Sequence, residues 1–226
     1  MIGIQRDKRS FLRLVTGVAT MATIGWASAV AAEEAGPIRI GLIYSKQGPG
    51  AAIGEFLQRG SALAVEQAGG KVLGRPIELV WLDEPNPQVS QQNMQRLIDE
   101  NKVVAVVGGN YSSSALAMMS VANREKIPLI LTGAAAREIT GKECSRYTFR
   151  TQATVPVQIA GLMPYVAELG KKIYFITPSY AFGQDILRSA RGMLPAIGGT
   201  EAGVDEVPVN TADYSSYILK IRQAKP

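Results

Sequence analysis

The chain has no histidine, and Cys144 is its single cysteine. Without histidine, Ser-His-Asp and Cys-His catalysis are excluded from this stretch, together with most zinc sites. One cysteine permits no intrachain disulfide, and Cys144 reads as a loop or semi-buried thiol rather than a nucleophile. Beyond residue 30 no apolar run is long enough to span a bilayer. Basic clusters are scarce too. The formal charge of +5 comes from 24 basic and 19 acidic residues, but Arg6, Lys8, Arg9 and Arg13 all precede residue 32. Removing residues 1–31 leaves 20 basic against 18 acidic residues, with no Lys/Arg patch that would suit nucleic acid.

Those first residues read as an address. A basic start is followed by a mild apolar run from Leu14 to Val30 and small-residue cleavage options at Ala29-Val30-Ala31. Asp7-Lys-Arg-Ser-Phe-Leu-Arg13 resembles the twin-arginine export motif, with Lys8 where its first arginine stands, so both that route and the general secretory one remain open. Thr16, Gly17, Thr20, Thr23, Gly25 and Ser28 interrupt the run and favour a removable signal over a permanent membrane helix. The expectation is a soluble exported protein with a signal peptide over 1–31.

From residue 32 on, strand and helix patterns alternate. Ile38–Tyr44 reads as a strand, and Ile53, Phe56, Leu57, Gly60, Leu63 and Ala64 as the inner stripe of a helix that Gly69-Gly70 stops. Strand Ile77–Leu82, helix Val89–Glu100, strand Val103–Val107, helix Ser113–Glu125 and strand Ile127–Leu131 follow. This βα order predicts an α/β fold with an open parallel sheet covered on both faces. A polar break at Arg137–Thr154, containing a short Tyr147–Arg150 strand, separates lobes over 32–150 and 151–226. The second lobe reads as helix Val157–Leu169, strand Ile173–Thr177, helix Gly183–Leu194, strand Gly203–Val207 and helix Tyr214–Ala224. At 76 residues it is small for a domain. The chain stops after a helix where a strand is expected, which reads as the N-terminal portion of a longer protein. Residues 32–226 alone are expected to be poorly stable and to bind weakly.

Four loops at strand ends carry the candidate chemistry, because ligands of parallel sheets bind at the carboxyl edge. The loop Ser45–Gly54 spaces Gly48, Gly50 and Gly54 as in a dinucleotide-binding turn, with Asp83 beyond the second strand. Several residues separate the strand from the first glycine, Pro49 restricts the turn, and no Tyr-x-x-x-Lys pair is present, so a tight turn or a ligand-contacting loop competes with a cofactor site. Asn110, Tyr111, Ser112, Ser113 and Ser114 form the second loop, where serine hydroxyls and amides at a helix start could seat a carboxylate or simply cap the helix. Gly133, Ala134, Ala135 and Ala136 form the third, either a close-packed corner or a loop whose carbonyls accept from an ammonium or amide. In the fourth, Pro178–Asp185, Tyr180 and Phe182 either pack locally or close over a ligand. Glu55, Asp83 and Glu84 read as solvated loop or helix-start carboxylates.

Taken in order, these residues resemble a known family. Ile38-Arg-Ile-Gly-Leu-Ile43, Gln47-Gly-Pro49, Gln67–Leu79, Val106-Val-Gly108 with Ser112–Ser114, and Thr132-Gly-Ala-Ala135 with Glu138-Ile-Thr140 are similar to the solute-binding component of bacterial ABC importers for branched-chain amino acids and related compounds. Phe149-Arg150, Ala181-Phe-Gly183, Asp213–Ser216 and Leu219-Lys-Ile221 continue the likeness. The resemblance implies a type I periplasmic binding protein of two α/β lobes closing on a solute, with no catalytic residue, cofactor or metal. It implies that Ser112 holds a carboxylate through its hydroxyl and amide, that Gly133 offers its carbonyl and that Ile53 lines the side-chain pocket. Ala135 stands where amino-acid binders often carry a threonine, and Phe182 where they commonly carry a tyrosine. Both departures open the solute class to aromatic or aliphatic acids, amides and urea-like compounds. The implied partner is an ABC permease in the inner membrane and the implied location the periplasm. The rivals are an exported nicotinamide oxidoreductase using the glycine loop and a sensory domain of the same fold.

Overall fold

The computed structural model describes residues 36–226, so the export segment read over 1–31 lies outside the described residues. The first strand, β1 (Ile38–Ile43), leads through a 3₁₀ turn at Gly48–Gly50 into α1 (Ala51–Gln67). A hairpin of β2 (Lys71–Val72) and β3 (Arg75–Leu82) follows. Its two-residue turn places Leu73 and Gly74 at φ 51° and 79°, the positive pair that matches strand twist in a tight hairpin. Then come α2 (Pro87–Asp99), β4 (Ala105–Gly108), α3 (Ser112–Glu125), β5 (Leu129–Leu131) and β6 (Thr148–Arg150). Asn86 caps α2 by accepting from the Val89 amide at 2.9 Å, with Pro87 supplying the preset first turn.

The sheet order is β2-β3-β1-β4-β5-β6, parallel throughout except for the β2–β3 hairpin. β1 therefore has β3 on one side and β4 on the other, and the chain reverses its winding between β1 and β4. In such sheets the crevice opens outside the carboxyl ends of those strands. Alternation puts Ile43, Val80, Leu82, Val106, Leu129 and Leu131 on one face, where Met94 and Leu97 of α2 and Ala115, Met118 and Val121 of α3 cover them.

The opposite face corrects an expectation. Of the apolar stripe read on α1 only Leu57 turns inward: Phe56 is 71 % exposed, Ile53 and Leu63 about half, and Gly54 is the helix's one buried residue. The reason is contact at Gly54, where any Cβ would overlap the Ser45 carbonyl oxygen. Seating the backbone there aims Gly54, Leu57, Ser61 and Val65 at the sheet instead. A repeat of 3.6 fixes that a stripe exists, while the point of closest approach fixes which way it faces.

A second, two-stranded parallel sheet holds β7 (Lys172–Pro178) and β8 (Thr200–Val207), with α4 (Val155–Leu169), α5 (Ala181–Met193) and α6 (Ser215–Ala224). Its core joins Val155, Ile159, Met163, Phe175, Leu187 and Leu194. The segment after β5 serves both cores: Ala134, Ala136 and Ile139 pack in the first, Ala135 in the second. The Val155 amide donates to the Ala135 carbonyl at 2.9 Å. Just beyond, the fully buried Asp185 of α5 accepts from the Arg137 amide at 2.7 Å and pairs with the Arg137 and Arg188 guanidinium groups.

Candidate ligand cleft

The loops after β1, β4 and β5 meet the β7–α5 loop, as the strand reversal requires. Between them lies a cavity of about 480 Å³ lined by Ile53, Tyr111, Ser112, Gly133, Tyr180 and Phe182, together with Asn110, Thr132, Gln152 and Val209. Residues as far apart in sequence as Ile53 and Val209 thus line one cavity. Among the described residues, no charged side chain lines it. The Tyr111 ring meets Tyr180 edge to face at 5.6 Å, and Tyr180 stacks on Phe182 at 6.2 Å, so aromatic rings from both halves close one end. Burial is the main cause that pushes the Tyr180 phenol up to about 12, with Tyr111 and Glu84 adding to it. Its hydroxyl stays a donor at every physiological pH.

The serines divide by role. Ser112 is buried, and its hydroxyl accepts from the Ala135 and Ala136 amides, both at 3.2 Å. It clamps the loop after β5 to the first turn of α3, and the proton left on that hydroxyl is what it has to offer a ligand. Ser113 instead faces a neighbouring cavity of about 540 Å³, on the side of the Tyr111–Tyr180 pair toward Pro85 and Pro87. Ala134 and Ala135, expected among the ligand contacts, are 1 % exposed and lie outside the lining; their methyl groups fill the two cores.

The glycine loop is covered at Gly50 and open at Gly48. A Cβ on Gly50 would meet the Tyr111 hydroxyl, and would stand 2.8 Å from the Asn110 side-chain nitrogen Nδ2 and from Ser45 Oγ, so the backbone at Gly50 is already covered by side chains. Asp83 is tied to the same loop, accepting from the Lys46 amide at 2.7 Å and from Gln47 at 3.2 Å. Cys144 is exposed in its loop.

Glu84 departs most from the sequence reading. It is not solvated but fully buried at the end of β3. One carboxylate oxygen accepts from the Asn110 amide at 2.7 Å and the other from the Tyr111 amide at 2.8 Å. Burial pushes the carboxyl up to about 7, against the lowering effect of those amides. A resident carboxylate thus already occupies part of the positive end of α3. The tandem Asp83-Glu84 at a strand end was the available signal, but nothing local distinguishes the buried acid from its half-exposed neighbour.

Residues 37–226 match the family described as Periplasmic binding protein. Leu/Ile/Val-binding protein homolog 8 of Brucella abortus (strain 2308) is 29% identical over 198 residues, covering 82% of this chain and 49% of that protein. An amino acid binding protein of Pseudomonas aeruginosa is 27% identical over 223 residues, covering 96% and 58%. The chain spans about half the length of the curated relatives it matches. Among solved structures, an R. palustris solute binding protein in complex with benzoate superposes with TM-score 0.80 at 27% identity, covering 84% of this chain and 54% of that one. One from Rhodopseudomonas palustris BisB5, in complex with 3,4-dihydroxy benzoic acid, gives 0.77 at 28%, covering 84% and 52%. The matched span, the strand order and these relatives agree: the chain belongs to the periplasmic binding protein family.

Proposed function

We propose that this protein is the exported solute receptor of an ABC importer, capturing a small carboxylate with an aromatic or aliphatic body. The supporting observation is the cleft itself, with hydroxyl and amide groups on one wall, Tyr111, Tyr180 and Phe182 at one end, and no charged side chain in the lining. An uncharged, ring-lined cavity suits a flat monoanion, and aromatic carboxylates occupy similar proteins. The solute carboxylate would receive the Ser112 hydroxyl proton and the first-turn amides of α3, which have no intrahelical partner. Tyr180 and Phe182 would cover the body of the solute from the second lobe.

In this reading the lobes span 32–150 and 151–226 of the chain, the signal over 1–31 is removed on export, and the protein works in the periplasm without cofactor or enzymatic step. Closure on solute would present both lobes to a permease in the inner membrane. The amino-acid-binding relatives favour a second reading, an α-amino acid as solute. Thermal shift on the full-length mature protein decides between them. The panel is benzoate, 4-hydroxybenzoate, leucine, valine, a short amide and urea, with NADH and NADPH as the oxidoreductase arm. Stabilisation should follow ligand concentration once it passes Kd. The expected result is a shift with an aromatic acid that Tyr180→Ala plus Phe182→Ala abolishes. A shift with leucine or valine alone selects the second reading, and a shift with a nicotinamide nucleotide alone sinks both.

A further inference from the structure

Among the described residues, Glu84 has no counter-charge. The charged group acting on it is the neighbouring Asp83, itself acidic. Lys46, on the loop after β1, turns its ammonium to the Trp81 carbonyl at 2.7 Å and over the Trp81 ring. From α2, Asn93 reaches the Asp83 carbonyl at 2.8 Å. α3 contributes Tyr111 with the uncharged Ser113 and Ser114, and the second lobe contributes Tyr180. The ionised carboxyl is held by the Asn110 and Tyr111 amides and the end of α3, with the Ser114 hydroxyl also favouring the charged form. Those two residues, with Ser112, form the cleft wall where a solute carboxylate would seat. Two negative charges would then share one helix terminus, with little water around the buried one.

We propose that Glu84 is a positioning residue that takes up a proton when an anionic solute enters the cleft, so that capture is coupled to proton binding. This rests on the anionic-solute reading above. Like charges at one site cannot both stay ionised cheaply, and the buried, unpaired partner is the one that yields. Protonation leaves the Asn110 and Tyr111 amides and the helix terminus freer to serve the solute. The sign follows: a carboxyl that binds its proton more tightly in the complex makes affinity highest below its pKa in the free protein. Affinity falls as pH rises through the value in the complex.

Titration calorimetry on the full-length mature protein tests this, with benzoate as probe, in phosphate and in Tris at equal pH. The dependence of heat on buffer counts the protons exchanged. If the solute raises the carboxyl from about 7 to about 8, uptake is about 0.4 proton per benzoate at pH 7. Kd should then be about eightfold lower at pH 6 than at pH 9. Glu84→Gln should still bind benzoate but take up almost no proton, whereas Glu100→Gln, at the exposed end of α2, should match wild type. Where Glu84→Gln fails to fold, the wild-type uptake must still peak between about pH 7 and 8, as a single group of this kind requires. Benzoate binding with no uptake, an uptake peak elsewhere, or undiminished uptake in Glu84→Gln overturns the inference while the receptor reading stands. A panel with no anionic binder overturns both.

Discussion

Ser112 and Ser113 are adjacent, chemically identical and both at the start of α3, yet the structure gives them opposite consequences on truncation. In Ser112→Ala the Ala135 and Ala136 amides lose their acceptor within a buried corner. A buried donor left unsatisfied costs about 1–3 kcal/mol. Both bonds are 3.2 Å, at the long limit for N–H to oxygen, so the low end of that range applies. The pair then amounts to roughly 2–3 kcal/mol. Ser113 is half-buried at the wall of an open cavity, so Ser113→Ala should stay within about 0.5 kcal/mol of wild type. Urea unfolding followed by circular dichroism reads this directly. With a slope of about 2 kcal/mol/M, the Ser112→Ala midpoint falls by about 1 M and that of Ser113→Ala by less than about 0.3 M. In the proposed reading, benzoate affinity of Ser112→Ala should fall about fivefold, the equivalent of about 1 kcal/mol for one lost donor. Equal midpoints for the two variants would refute the clamp, and with it the account of why the loop after β5 stays on α3.

Two further outcomes test the scaffold. Gly54→Ala should cost about 3 kcal/mol by urea unfolding, because the new Cβ overlaps the Ser45 carbonyl oxygen and α1 must back away from β1; Gly60→Ala, with open space at its Cβ, should be neutral or slightly stabilising. Asp185→Ala should cost about 2–3 kcal/mol, since it strands the Arg137 amide; the half-exposed guanidinium groups can rehydrate, which keeps the loss below that of a fully buried pair.

The order of elements was legible because each strand and helix declares itself locally. Asn86 and Thr154 cap helices just where Pro87 and Pro156 begin the next turns, and Gly69-Gly70 ends α1 with both φ positive. Elements such as β1 and α5 lie within a residue or two of the sequence reading, and the largest shift is at β8, which starts at Thr200 rather than Gly203. Of the nine residues expected at the site, Ile53, Tyr111, Ser112, Gly133, Tyr180 and Phe182 line one cavity. They come together because strand ends of a parallel sheet converge. Ala134 and Ala135 were misread because a small residue at such a corner fits open backbone and tight packing equally well.

The sequence by itself determined an alternating α/β chain, the loops that meet at one sheet edge and the absence of histidine-based chemistry, all properties of composition and short-range pattern. Only tertiary structure decided which way α1 turns, which serine clamps, where Ala135 packs and that Glu84 is buried beside its half-exposed neighbour Asp83. Each of these depends on a partner 20 to 50 positions away or on a neighbouring element. A side chain's environment, and with it its charge, is set by what the fold brings against it.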